Sequence, residues 1–175
     1  MTTNLDARFA RYSSPFLSIF RIIFGLLFIL HATQKLFQWP APTPMPIPVG
    51  SWPAWWAGLI ELVCGVLITI GFFTRIAAFI ASGEMAFAYF YQHWPILKGD
   101  TSASFWPIVN GGELAVMFCF AFLLLAGMGA GAWSVDAQRR GGVGRTRATA
   151  PAGGVVTGRA APAPPRRGLM SRFRR

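Results

Sequence analysis

Residues 16–37 read FLSIFRIIFGLLFILHATQKLF, and the interpretation of this stretch decides the fold. It is apolar almost throughout, and it is close to the ~20 residues a helix needs to cross ~30 Å of hydrocarbon. Three further stretches have the same character, at about 54–73, 75–94 and 111–132. None alternates apolar and polar residues as a spanning strand would, and a backbone in lipid must satisfy its own hydrogen bonds. The expected fold is therefore all-α, a four-helix transmembrane bundle. Arg8 and Arg11 ahead of the first stretch give it some likeness to a signal peptide. His31, Gln34 and Lys35 continue the same helix, however, and no small-x-small cleavage site follows, so the stretch is expected to be retained.

Composition agrees with this reading. Of 175 residues, 54% are apolar and 13% charged, with a mean hydropathy of +0.46. Soluble domains run nearer a quarter charged. The formal net charge of +10 suggests a nucleic-acid partner until it is located. Ten arginines and no acid lie between Ala137 and Arg175, whereas residues 1–136 hold six basic and six acidic groups. The chain thus divides into a cytoplasmic N-terminus (1–15), the bundle (16–136) and a tail (137–175). The Gly-, Pro- and Arg-rich tail is expected to be disordered and cytoplasmic, with its arginines drawn to anionic lipid. No nucleic acid needs to be invoked.

Tryptophan and arginine orient the bundle. Trp39, Trp52, Trp55, Trp56, Trp94, Trp106 and Trp133 all fall at the ends of the apolar stretches, where an amphipathic ring sits best between lipid and water. Arg8, Arg11, Arg75 and the tail arginines mark one side of the membrane, and the loop between the first two spans has no charge. By the positive-inside rule both termini are cytoplasmic. The first outer loop, WPAPTPMPIPVGSWP (39–53), cannot be helical. It reads as a semi-rigid spacer or as a lid over a site. Spans two and three are joined so closely around Thr74 that they must be antiparallel neighbours.

The informative residues are the costly ones. Glu61, Glu84 and Glu113 are half of the acids, and they lie in or at the edge of spans that also carry Arg21, His31 and Lys35. Ionisable groups in lipid usually face the bundle interior, paired or beside water. At 1.5 Å per residue, His31, Lys35, Glu61, Glu84 and Glu113 gather in the outer half, and Arg21 is expected to reach the inner surface. His31 and Lys35 share a helix face; Glu61 shares a stripe with Gly58 and Gly65, and Glu84 with Ala77, Ala81 and Ala88. Small residues mark close helix approach, so both glutamates should face neighbouring helices. The five form the candidate catalytic set, and Gln34 and Asn110 are candidates for holding a cofactor. Buried ion pairs that merely fix helix register are the alternative. Other readings are a Cys64–Cys119 redox pair, a haem between His31 and His93, and a packing or dimer contact at Gly127 and Gly131. No metal-ligand spacing, phosphate-cradling loop or nucleophile triad is present.

Three motifs carry a family resemblance: RIIFGLLFILHATQKLF (21–37), GLIELVCGVLITIGFFTRIAAFIASGEMAFAYF (58–90) and NGGELAVMFCFAFLLLAGMGAGAWSVD (110–136). Together they resemble the DoxX family of integral membrane proteins over about residues 16–136. The resemblance implies a four-helix protein of bacterial cytoplasmic membranes. It also implies redox work, since the family takes its name from a subunit of a quinone-reducing thiosulfate oxidoreductase.

The leading expectation is a membrane subunit of a quinone-linked or redox-stress oxidoreductase system. No residue here carries electrons unaided, so a quinone or a redox partner protein must, and whether the chain is itself an enzyme stays open. A small-molecule or proton-coupled transporter and a membrane scaffold for soluble partners are the alternatives, and the oligomeric state is left open.

Overall fold

Residues 2–139 are described by a computed structural model, and among them there is no strand. The helix predicted from Phe16 begins much earlier: α1 runs Thr2–Phe37 and carries Pro15 within it. Nothing in residues 2–14 breaks a helix, and proline's missing N–H costs one backbone bond without ending the run. There follow α2 (Ala54–Ile70) and α3 (Thr74–Ala88), the latter prolonged by a π turn at Tyr89–His93. A 3₁₀ turn at Ile96–Lys98, the short α4 (Pro107–Asn110) and α5 (Glu113–Met128) complete the set. Four long helices therefore occupy the four apolar stretches. The Phe9–Phe37 part of α1 is long and apolar enough to cross a membrane. Helices α2 and α5 are apolar but shorter, at 17 and 16 residues. Of the expected tail, residues 137–139 are helical and residues 140–175 lie outside the described residues.

The helices are packed by two different means. Between α1 and α2 the contact is made by glycine. A Cβ at Gly65 would stand 2.8 Å from Ile29 Cγ1 and 3.2 Å from the Ile29 nitrogen, and one at Gly25 would stand 3.0 Å from the Thr69 nitrogen. Backbone thus lies against backbone. Between α1 and α5 the contact is made by rings. Phe28 meets Phe118 and Phe122 at centroid distances of 5.6 and 4.7 Å, and Phe24 meets Phe118 at 5.7 Å. The rings hold these two backbones well apart, while α3 lies closely along α5. One seam of the bundle is tight and another is wide.

The end of the bundle that holds the α2–α3 turn, here the base, is fastened by polar side chains. Arg21 was expected to reach a surface and does not; it is 1% exposed. Its guanidinium donates to the carbonyls of Ile68 and Thr69, where α2 ends, and to those of Ala130 (2.9 Å) and Trp133 (2.5 Å). An arginine has donors enough to satisfy helix-terminal carbonyls that otherwise have no partner. Arg75 does the same for α5, donating to Ala126 and Gly127 at 2.8 and 2.5 Å. Asp136 accepts from the nitrogens of Phe73 and Thr74 at 3.0 and 2.9 Å, and so caps the start of α3. Gly71 ends α2 at φ 73°, and a side chain there would press on Arg21.

Exposed surface is as apolar as the core. Leu27, Val63, Phe79 and Phe120, from four different helices, are all exposed, while Arg21, Glu61 and Ser18 are buried. An outside that prefers hydrocarbon around an inside that holds charge suits lipid rather than water.

Candidate functional site

At the opposite end, the mouth, a cavity of about 730 Å³ opens between the helices. Its size is that of a small-molecule site. Helix α1 contributes Phe28, His31 and Lys35; α2 contributes Ala57 and Glu61; α3 contributes Glu84 and Met85. Helix α5 closes the floor with Ala115 and Phe118, and residues Pro44–Pro48 of the proline-rich loop lie across the top. The π turn matters here: its wider winding, sealed by the Trp94 N–H donating to the Tyr89 carbonyl at 2.8 Å, turns Gln92 and His93 to the cavity wall.

The polar centre is an ion pair. Lys35 Nζ donates to Glu61 Oε1 at 2.5 Å, with Glu61 1% and Lys35 26% exposed. The pair follows from the glycine seam. Gly58 lies one helical turn before Glu61, and with no side chain of its own it lets the Lys35 stem descend onto α2. The other oxygen, Glu61 Oε2, is buried and has no hydrogen-bond partner among the described residues. Glu84 Oε2 is in the same condition, and Glu84 lies within electrostatic reach of both Glu61 and Lys35. His31 stands edge-on to Phe118 at 5.7 Å.

Four of the five candidate catalytic residues, His31, Lys35, Glu61 and Glu84, thus line one cavity. Glu113 does not: it is exposed at the first turn of α5, because the helix begins there and turns its buried face, Ala115 and Phe118, inward. Neither candidate cofactor residue lines the cavity. Gln34 is half-buried and faces away from it, its carbonyl accepting from Gln38. Asn110 is a loop rivet, donating to the Ser104 carbonyl at 2.9 Å and the Tyr89 hydroxyl at 3.3 Å, and accepting from the Gly112 nitrogen at 2.8 Å. His93 Nδ1 lies 3.3 Å from the Asn110 carbonyl oxygen. Cys64 and Cys119 are free thiols; Cys119 Sγ lies 3.5 Å from Ser82 Oγ. Gly131 packs within the chain against Ser18 and the Ser14 carbonyl, while Gly127 has open space around it. Of the two readings of the proline-rich loop, the lid is the one that fits residues Pro44–Pro48, which line the cavity. The π turn that brings Gln92 and His93 to the wall is not announced by helical spacing, although the sequence offers His93 as a haem ligand.

Comparison with known proteins adds the family. The DoxX family model matches residues 16–94. A protein of Haemophilus influenzae, titled only "Uncharacterized protein", is 43% identical over 127 residues, 72% of this chain and 92% of its own length. The chain belongs to the DoxX family. An uncharacterized membrane protein of Mycobacterium tuberculosis is also similar, 26% identical over 131 residues that cover 70% of this DoxX chain and 80% of the relative. No solved structure matches it significantly. The DoxX match takes in α1 to α3 and so three of the cavity's four helical walls, with Lys35, Glu61 and Glu84 among its residues. The chain is a membrane protein of this family.

Proposed function

We propose that this DoxX protein spans the bacterial inner membrane four times, with both termini cytoplasmic. In this reading the mouth cavity binds a lipid-soluble quinone as the membrane subunit of a redox system. The observation that carries it is the buried Lys35–Glu61 pair set in the wall of a cavity lined mainly by rings, methyls and prolines, with Glu84, His31, Gln92 and His93 among its other polar groups. A charged pair costs too much in such surroundings to be spent on register alone when a second carboxyl, Glu84, stands beside it.

Several features support the reading. At 1.5 Å per residue α2 and α5 are about 25 Å long, short of the full hydrocarbon thickness by an amount that local bilayer thinning accommodates. Exposed Trp39, Trp52, Trp56 and Trp106 ring the mouth, as suits a membrane interface. The wide α1–α5 seam gives an apolar ligand a sideways approach from lipid, between His31 on one helix and Leu114 on the other. Below the cavity, Phe122, Ile68 and Leu125 are fully buried and the base is clasped by Arg21, which favours a blind binding site over a transport path. Reduction of a quinone takes up two electrons and two protons; the carboxyls and Lys35 are placed to exchange the protons, and a partner protein must bring the electrons.

The test is equilibrium binding of a short-chain benzoquinone, in both redox forms, to the protein in lipid nanodiscs. Saturable binding of at least one form is expected, weakened at least about tenfold in the Lys35→Met/Glu61→Gln double variant, which removes both charges together. If neither form binds, or if the double variant binds as well as the parent, the reading is wrong.

A further inference from the structure

The cavity's hydrogen-bonding inventory is unbalanced, and the imbalance names the form of ligand. Glu61 is 1% exposed, and its ion pair with Lys35 occupies one oxygen only. Its second oxygen and one oxygen of Glu84 are both buried acceptors with no donor among the described residues. An ionised or hydrogen-bond-accepting oxygen left in this state is costly, and any ligand that supplies the missing donor recovers that cost. Donors on the protein side are better provided: Lys35 keeps two N–H groups beyond the one given to Glu61, and His31 adds a ring N–H.

A carbonyl oxygen on a ligand could accept from Lys35 and, with the carboxyls ionised, would leave both of their free oxygens as they are. A hydroxyl can do both things at once, accepting from the ammonium and donating to a carboxylate. The ring that bears it has apolar partners in Phe28, Phe118 and Pro46, which line the same cavity. Resting on the quinone-site reading above, we infer that the cavity selects the reduced, hydroxyl-bearing ring over the oxidised one. The ligand class is an alkylated hydroquinone, and the residues that discriminate are Glu61 and Glu84.

The experiment uses the full chain in nanodiscs under anaerobic conditions and three probes of one shape: a decyl-benzohydroquinone, its benzoquinone, and its dimethyl ether, which can accept but not donate. The hydroquinone should bind at least about tenfold more tightly than either of the others. In Glu84→Leu that preference should fall below about threefold, while the thermal stability of the protein rises or holds, since a buried acceptor without a donor has been removed. Equal or tighter binding of the quinone or the ether overturns the inference and leaves the quinone site standing. A preference that survives Glu84→Leu undiminished overturns it as well. Failure of all three probes to bind removes the site reading and this inference together.

Discussion

Gly58 and Lys35 are pressed together across the α1–α2 seam: a Cβ added at position 58 would stand 3.2 Å from Lys35 Cβ and 3.1 Å from Leu36. That closeness lets a lysine on one helix reach a carboxylate one turn further along the next. Larger side chains in the seam should therefore harm the site as well as the fold. Gly65→Val, where even a Cβ would meet Ile29 at 2.8 Å, is expected to lower stability by about 1–3 kcal/mol. Gly58→Val should cost a similar amount and loosen the Lys35–Glu61 contact besides. Thermal unfolding in detergent, followed by binding at the mouth, measures both.

The ion pair itself should be asymmetric under mutation. Lys35→Met strands a buried carboxylate and is expected to cost about 3–5 kcal/mol, whereas Lys35→Met/Glu61→Gln should be close to neutral. A double-mutant cycle on denaturation free energies reads the difference. Additive effects of the two single changes would show that the pair contributes nothing as a pair.

Arg21 predicts a different pattern. Its guanidinium serves four carbonyls at the base, far from the cavity, so Arg21→Met should cost at least about 3 kcal/mol. Lysine should not rescue it, because an ammonium lacks the planar fork that reaches several carbonyls at once. Protease resistance and unfolding midpoint are the readouts.

Asp136 caps α3 through two backbone nitrogens. Asp136→Ala is expected to cost about 1 kcal/mol and Asp136→Asn a few tenths, the order of a helix N-cap. A change in hydrogen exchange confined to the first turn of α3 would mark the effect as capping.

In the exposed loop, the Ser102 hydroxyl and backbone N–H donate to Asp100 Oδ1 at 2.6 and 2.9 Å and hold its carboxyl below the usual aspartate range. A depressed carboxyl contributes order to its turn above the unfolded-state value and loses it as pH falls through the folded-state value. Ser102→Ala should move the Asp100 titration upward in an NMR pH series, with no change in global stability.

Much of this architecture could be read directly from the residues. Apolar runs of about twenty residues leave few options for a backbone, so the helices and their neighbours followed from hydropathy and loop length. The stripe of Gly58, Glu61 and Gly65 announced a buried carboxylate on a close-packed face, and that is where Glu61 lies. Glu113 was harder. It begins α5, as its position in the sequence suggested, but whether a residue in the first turn of a helix faces inward depends on the rotation of α5, which the ring contacts of Phe118 and Phe122 decide. Arg21 was misjudged because hydropathy prices a charge against lipid or water and takes no account of carbonyls on a neighbouring helix. Asn110 sits where a ligand contact was expected, but its three hydrogen bonds all go to its own loop and to Tyr89.

The contrast between a clasped base and a ring-spaced seam has a mechanical outcome. A bundle fastened at one pole works like a clothes peg: strain applied at the jaws is taken up by rotation about the grip, with little disturbance of the grip itself. In the proposed site, guests of differing girth would be admitted by splaying α1 from α5, and changes in the proline segment would retune the jaws while the spring, made of arginine and backbone, stays as it is.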